Sequence, residues 1–123
     1  MADDMKRFEG IWNAAPEKRY KHFVANAADR GTVWMLANGE GVAALEIDGY
    51  TNFLVWPSQE FAAAFDGEEY PIGIEVHEFC RTCEELVGRT DVRFMVFPTE
   101  KNCFIVETEE LLNDILDGLE LIE

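Results

Sequence analysis

Near residue 31 the spacing of apolar side chains switches from a period of about 3.6 to a period of 2. Upstream of the switch, Met5, Phe8, Ile11 and Trp12 recur at intervals suited to one helical face, which predicts an amphipathic helix over 2–13. Pro16 suits the first turn of a second helix over 16–29. Its inward stripe is Tyr20, Phe23, Val24 and Ala27, with Lys18, Arg19, Lys21 and His22 on the wet flanks. Gly31 ends it as a left-handed residue does. Downstream, 32–37, 42–47 and 51–56 alternate as three strands. Asn38-Gly39-Glu40-Gly41 joins the first two and a turn holding Asp48-Gly49 joins the next two, which predicts an antiparallel meander.

Pro57 stops the third strand, and Ser58 caps a short helix over 59–66. Glu60 sits in its positive first turn, Phe61, Ala62 and Phe65 form its buried side, and Gly67 follows its end. A short extended piece follows Pro71, then a helix over 76–87. Strands over 92–97 and 103–106 form a second hairpin around Pro98-Thr99-Glu100-Lys101-Asn102. Both are apolar on two faces, which predicts a central place in the sheet. The last helix begins after Thr108 and carries Leu111, Leu112, Ile115, Leu116 and Leu119 on one side. The reading is one α+β domain over 1–123. It expects a predominantly antiparallel sheet of about five strands, a meander plus a hairpin, packed with two N-terminal helices and one C-terminal helix. A chain of 123 residues, 48% of them apolar, can bury one such core and is short for two.

Charge narrows the partners. Ten Lys and Arg stand against 25 Asp and Glu, a net −15. The first thirty residues hold six basic and five acidic side chains, so 31–123 carries four against twenty, a net −16. Such a field repels phosphate backbones and anionic lipid, so neither nucleic acid nor a membrane is expected as a partner. No apolar run approaches the ~20 residues of a membrane span, and the opening residues lack a signal peptide's apolar stretch. With three cysteines, a sparse and odd count, this points to a reducing cytoplasm. Surplus acid keeps any small protein soluble, but here it is also concentrated. Glu109, Glu110, Asp114, Asp117 and Glu120 run along the outer face of the last helix with no Lys or Arg among them. That face is the candidate surface for a basic protein partner, on a monomer or a homodimer.

His77, Cys80, Cys83 and Cys103 supply the ligand types of a Cys₃His zinc site. At ~100° per residue, however, Cys80 and Cys83 fall in the apolar stripe of their helix and His77 points more than ~100° away from its centre. They read as core residues, and neither a metal nor a cofactor is expected. Cys80 also lies a full turn inside the helix, away from the dipole a redox Cys-x-x-Cys uses. The glycines of 38–41 belong to a hairpin and not to a phosphate loop, and Asp66-Gly67-Glu68-Glu69 lacks the alternating ligands of a calcium loop. No catalytic motif occurs. Trp34 and Trp56 share parity relative to their turns. They are either buried core or, with Tyr20 and Glu60, the lining of a cleft at the Trp56–Glu60 corner, and the spacing leaves both open.

Lys18-Arg19-Tyr20, then Phe23, Asp29, Val33-Trp34 and Leu36 resemble the opening of the bacterial domain of unknown function 2750 family. Trp56-Pro57 with Glu60-Phe61-Ala62 resembles its central motif. Glu78-Phe79, Val96-Phe97-Pro98 and Val106-Glu107 followed by Leu111-Leu112 resemble its second half. The likeness spans nearly the whole chain after the first dozen residues, and the half from Leu54 to Ile115 is also loosely similar to the enhanced serine sensitivity protein family. The resemblance implies a bacterial α+β domain and lends no catalytic or ligand residues. The function expected is a non-enzymatic protein-binding module, immunity-, adaptor- or chaperone-like, that works through its acidic surface. The competing expectation is an enzyme using Cys or carboxylate chemistry near Trp56 and Glu60.

Overall fold

The computed structural model describes residues 9–65, 69–99 and 101–122. A first helix, α1, is described over 9–12, so Met5 and Phe8 of its expected stripe lie outside the described residues. Helix α2 (Pro16–Arg30) opens on its proline and stops at Gly31, whose φ of 75° is the left-handed conformation that glycine adopts without strain. Then follow β1 (Thr32–Asn38), β2 (Gly41–Val42), β3 (Ala44–Ile47), β4 (Tyr50–Val55) and α3 (Gln59–Phe65). The second half comprises β5 (Tyr70–Glu75), α4 (Val76–Leu86), β6 (Val92–Val96), β7 (Phe104–Glu107) and α5 (Thr108–Ile122). Asp66 and Gly67 at the end of the short helix, and Glu100 of the second hairpin, lie outside the described residues. Among the described residues, no helix is long and apolar enough to cross a membrane.

The architecture is α+β, but the strands form two sheets instead of one largely antiparallel sheet of five. One sheet has the order β2-β1-β5 and the other β3-β4-β6-β7. The strand expected over 42–47 breaks at Ala43, because its two ends serve different sheets. Val42 pairs with Ala37 of β1, while Ala44 pairs with Phe53 of β4. Ala43 itself donates to the Leu36 carbonyl at 2.7 Å and accepts from the Leu54 amide at 3.4 Å. The β3–β4 hairpin closes as expected on Asp48 and Gly49, with φ of 53° and 85°, the doubly left-handed turn that matches strand twist.

The short extended piece expected after Pro71 is a full strand, antiparallel to β1 from Thr32↔Glu75 to Ala37↔Tyr70. Proline and glycine are poor strand formers, which hid it. Pro71 is tolerated because β5 is an edge strand. Gly73 is useful because the Trp34 indole covers it, at 3.2 Å from where a Cβ would stand. The chain then returns through α4, and β6 lies parallel to β4 from Thr51↔Val92 to Val55↔Val96. A parallel pair needs such a long crossover, and this one makes the second sheet mixed. β6 is central, as its apolar faces suggested, whereas β7 is an edge.

The core takes Phe23 from α2, Val33 and Leu36 from β1, Val55 and Trp56 from the end of β4, Phe94 and Phe97 around β6, and Leu111 and Ile115 from α5. Each of these side chains is essentially inaccessible to water, which is the main source of stability in a fold this size. Helices α2 and α5 pack directly on each other. A Cβ on Gly118 would stand 3.1 Å from the Ala28 methyl, so the glycine sets how closely the two helices approach.

Candidate functional site

The acidic residues singled out on the last helix all lie on α5. Glu109, Glu110, Asp117 and Glu120 are exposed, and Asp114 is half-buried. By the helical step they fall within an arc of about 140° opposite the buried stripe of Leu111, Ile115 and Leu119. Asp114 marks the division between two depressions. One, of about 430 Å³, is bounded by Glu107, Glu109, Glu110, Asn113 and Asp114. The other is a groove of about 440 Å³ between α2 and α5. Tyr20, Lys21, Val24 and Ala25 form one side, and Asp114, Asp117, Gly118 and Leu121 the other. Its floor is apolar and one wall is acidic. At 90% exposure, Leu121 is the most open of the large apolar side chains described. Helical spacing shows the acids but does not mark Val24, Ala25, Gly118 and Leu121 as site residues. Their signals were a glycine inside a helix and a leucine off the core stripe.

Tyr20 is the hinge between this groove and the core. Its phenol donates to Asp114 Oδ2 at 2.5 Å, and its ring packs against Phe104 with centroids 4.5 Å apart. Tyr20 therefore meets α5 and β7, joining a residue of the expected Trp56 corner to one of the expected acidic face. Burial, then the bond and charge of Asp114, raise its pKa well above the ordinary tyrosine value. An acid whose folded pKa is raised stabilises the fold fully below its unfolded pKa and loses that contribution as pH climbs above it. Unfolding free energy should fall above pH ~10 by up to about 1.4 kcal/mol per pH unit from this group. In Tyr20→Phe this component should vanish. The buried thiols titrate with the same sign in both proteins, so comparing denaturant titrations at pH 9, 10 and 11 isolates the phenol.

Arg19 and His22, expected on the wet flank of α2, turn inward. Arg19 is 1% exposed. Its Nε donates to the Phe97 carbonyl at 3.0 Å, Nη1 to the Ala14 carbonyl at 2.5 Å, and Nη2 to the Asn102 carbonyl and Oδ1 at 3.1 and 2.5 Å. Its guanidinium also lies 5.7 Å from the Phe97 ring. Burial lowers its pKa, although the fork of donors is satisfied by neutral acceptors. His22 is half-buried beside the Phe61 and Phe97 rings, and burial, then Arg30, lowers its pKa. Helical periodicity gave no sign of either burial, because the acceptors around Arg19 and the rings around His22 come from distant parts of the chain.

Trp34 and Trp56 are brought together as backbone partners, with reciprocal amide-to-carbonyl bonds of 3.0 and 2.8 Å. Trp56 is fully buried and its Nε1 donates to the Pro98 carbonyl at 3.0 Å. Trp34 is half-buried, and Glu60 stands exposed in the first turn of α3. Ser58 caps that helix weakly, its Oγ accepting from the Phe61 amide at 3.4 Å. Cys80 and Cys83 are buried on α4, while His77 is exposed and holds the Glu75 carboxylate at 2.7 Å. Burial, then nearby carboxylates, pushes the Cys80 thiol up to about 11, and burial, then Cys80, pushes Cys83 up to about 12. Burial raises Cys103 as well, against the pull of Arg19. Thiolate is therefore scarce at neutral pH. Among the described residues, no cluster of three or more His, Cys, Asp or Glu side chains is placed to hold a metal ion.

Fold and groove together define a two-sheet α+β domain with an acid-walled cleft between its second and last helices. The family model described as protein of unknown function (DUF2750) matches residues 20–115, and the chain belongs to that family. No curated protein and no solved structure matches it. The strings that carry the resemblance meet around one loop, since Arg19 bonds the Phe97 carbonyl and Trp56 the Pro98 carbonyl.

Proposed function

We propose that the protein is a non-enzymatic protein-binding module whose α2–α5 groove takes a basic, amphipathic helical segment of a partner protein. The observation that carries this reading is the union, in one cleft, of an apolar floor and an acidic wall. Val24, Ala25, Gly118 and Leu121 would receive the apolar stripe of such a segment, and Asp114 and Asp117 its cations. The net −15 of the chain would speed encounter with that partner. The raised thiol pKa values of Cys80 and Cys83 weigh against a cysteine enzyme. Three free cysteines fit a reducing bacterial cytoplasm as the compartment.

The reading is tested with synthetic peptides. A helix-forming peptide with leucines on one face and lysines on its flanks should bind, and its glutamate counterpart should not. Raising salt from 50 to 300 mM should weaken binding by about tenfold or more, as expected for partly exposed charge pairs. Asp114→Lys with Asp117→Lys should weaken it by a further factor of about ten, since like charges then face each other. Equal binding of the acidic peptide, or affinity indifferent to salt and to both reversals, rules the groove out.

A further inference from the structure

We propose a second site, sharing no residue with the groove: the cavity between the two sheets binds a compact, neutral, apolar molecule about the size of one benzene ring. The cavity measures about 150 Å³. It lies beside Val42, next to the point where the chain changes sheets. Met35 and Ile74 line it from one sheet, Phe53 and Phe94 from the other, and Phe79 of α4 roofs it. The void persists because its aromatic corner is stiff. Phe94 meets Phe53 at 5.8 Å and Phe79 edge-on at 5.4 Å, arrangements already favourable for the three rings and lost on collapse.

The lining dictates the guest. A cavity of about this size with apolar walls stays dry and accepts a single-ring hydrocarbon. Thr82 brings a hydroxyl to the wall, but it already donates to the Glu78 carbonyl at 3.1 Å. A charged or strongly polar guest, or the main chain of a peptide, would lose its water without replacement. A hydrocarbon or halogenated ring loses no hydrogen bonds and gains dispersion contacts with the apolar lining. Thr82 is exposed and Val42 half-buried at the rim, so a guest can enter without unfolding the domain.

The test is a ¹⁹F NMR titration of the full chain with fluorobenzene, with pyridine as a polar competitor of equal size. Val42→Phe and Thr82→Leu each fill the cavity from the rim, and the second sits on a helix where leucine is well tolerated. Wild-type protein should bind fluorobenzene saturably, pyridine should compete at least about tenfold more weakly, and each folded variant should bind fluorobenzene at least about tenfold more weakly. Non-saturable uptake by the wild type, pyridine binding as tightly, or a change below tenfold in either folded variant overturns the proposal.

Discussion

Replacing Arg19 with methionine should lower the unfolding free energy by about 4 kcal/mol, the sum expected when two or three charge-assisted bonds of ~1.5–3 kcal/mol each are lost and part of the desolvation cost is recovered. The loss is large because the guanidinium spans three places in the chain: Ala14 before α2, Phe97 after β6, and Asn102 before β7. Asn102 O keeps a second donor, the Thr99 amide at 2.9 Å, so the orphaned acceptors are chiefly the Phe97 and Ala14 carbonyls and Asn102 Oδ1. Arg19→Lys should recover less than half of the loss, since one ammonium does not reproduce a planar fork. Denaturant unfolding of the three proteins checks this. A loss below about 1 kcal/mol in the methionine variant would mean that water replaces the guanidinium at these carbonyls. Because Tyr20 is the next residue, loosening this end of α2 should also weaken peptide binding in the groove.

How far the sequence reveals this arrangement depends on whether a feature is local. The stripe of α2 from Tyr20 to Ala27, the leucine stripe of α5 and the Asp48-Gly49 turn are written in spacing and in left-handed turn residues. The acidic face of α5 is equally legible, since a helix of known phase fixes where its carboxylates point. What failed was everything decided by partners far along the chain. Ala43 carries no mark of changing sheets, and β5 looks unlike a strand until Trp34 covers Gly73. The second wall of the groove is set by α2 docking on α5 at Ala28 and Gly118, which no periodicity contains. Arg19 read as a flank residue because hydropathy weighs the charge and not the acceptors that await it.

Those acceptors lead to the second large effect. Trp56→Ala should cost about 4–5 kcal/mol, the upper range for a buried aromatic, because the indole is wholly enclosed and also packs, tilted, against the Phe65 ring with centroids 5.2 Å apart. Trp56→Phe keeps most of the volume and removes the donor to the Pro98 carbonyl, so its cost of about 1–2 kcal/mol measures that bond together with a small cavity. The two tethers hold successive carbonyls of one turn, Phe97 and Pro98. Phe97 has a φ of 51°, a left-handed conformation that costs a non-glycine residue about 1–3 kcal/mol and persists only where its surroundings enforce it. Once either tether is gone the turn can relax, and the other then has less to hold. Arg19→Met and Trp56→Phe combined should therefore destabilise by at least ~0.5 kcal/mol less than the sum of the separate losses. Strict additivity would show that the two side chains anchor the turn independently and that Phe97 keeps its left-handed backbone without them.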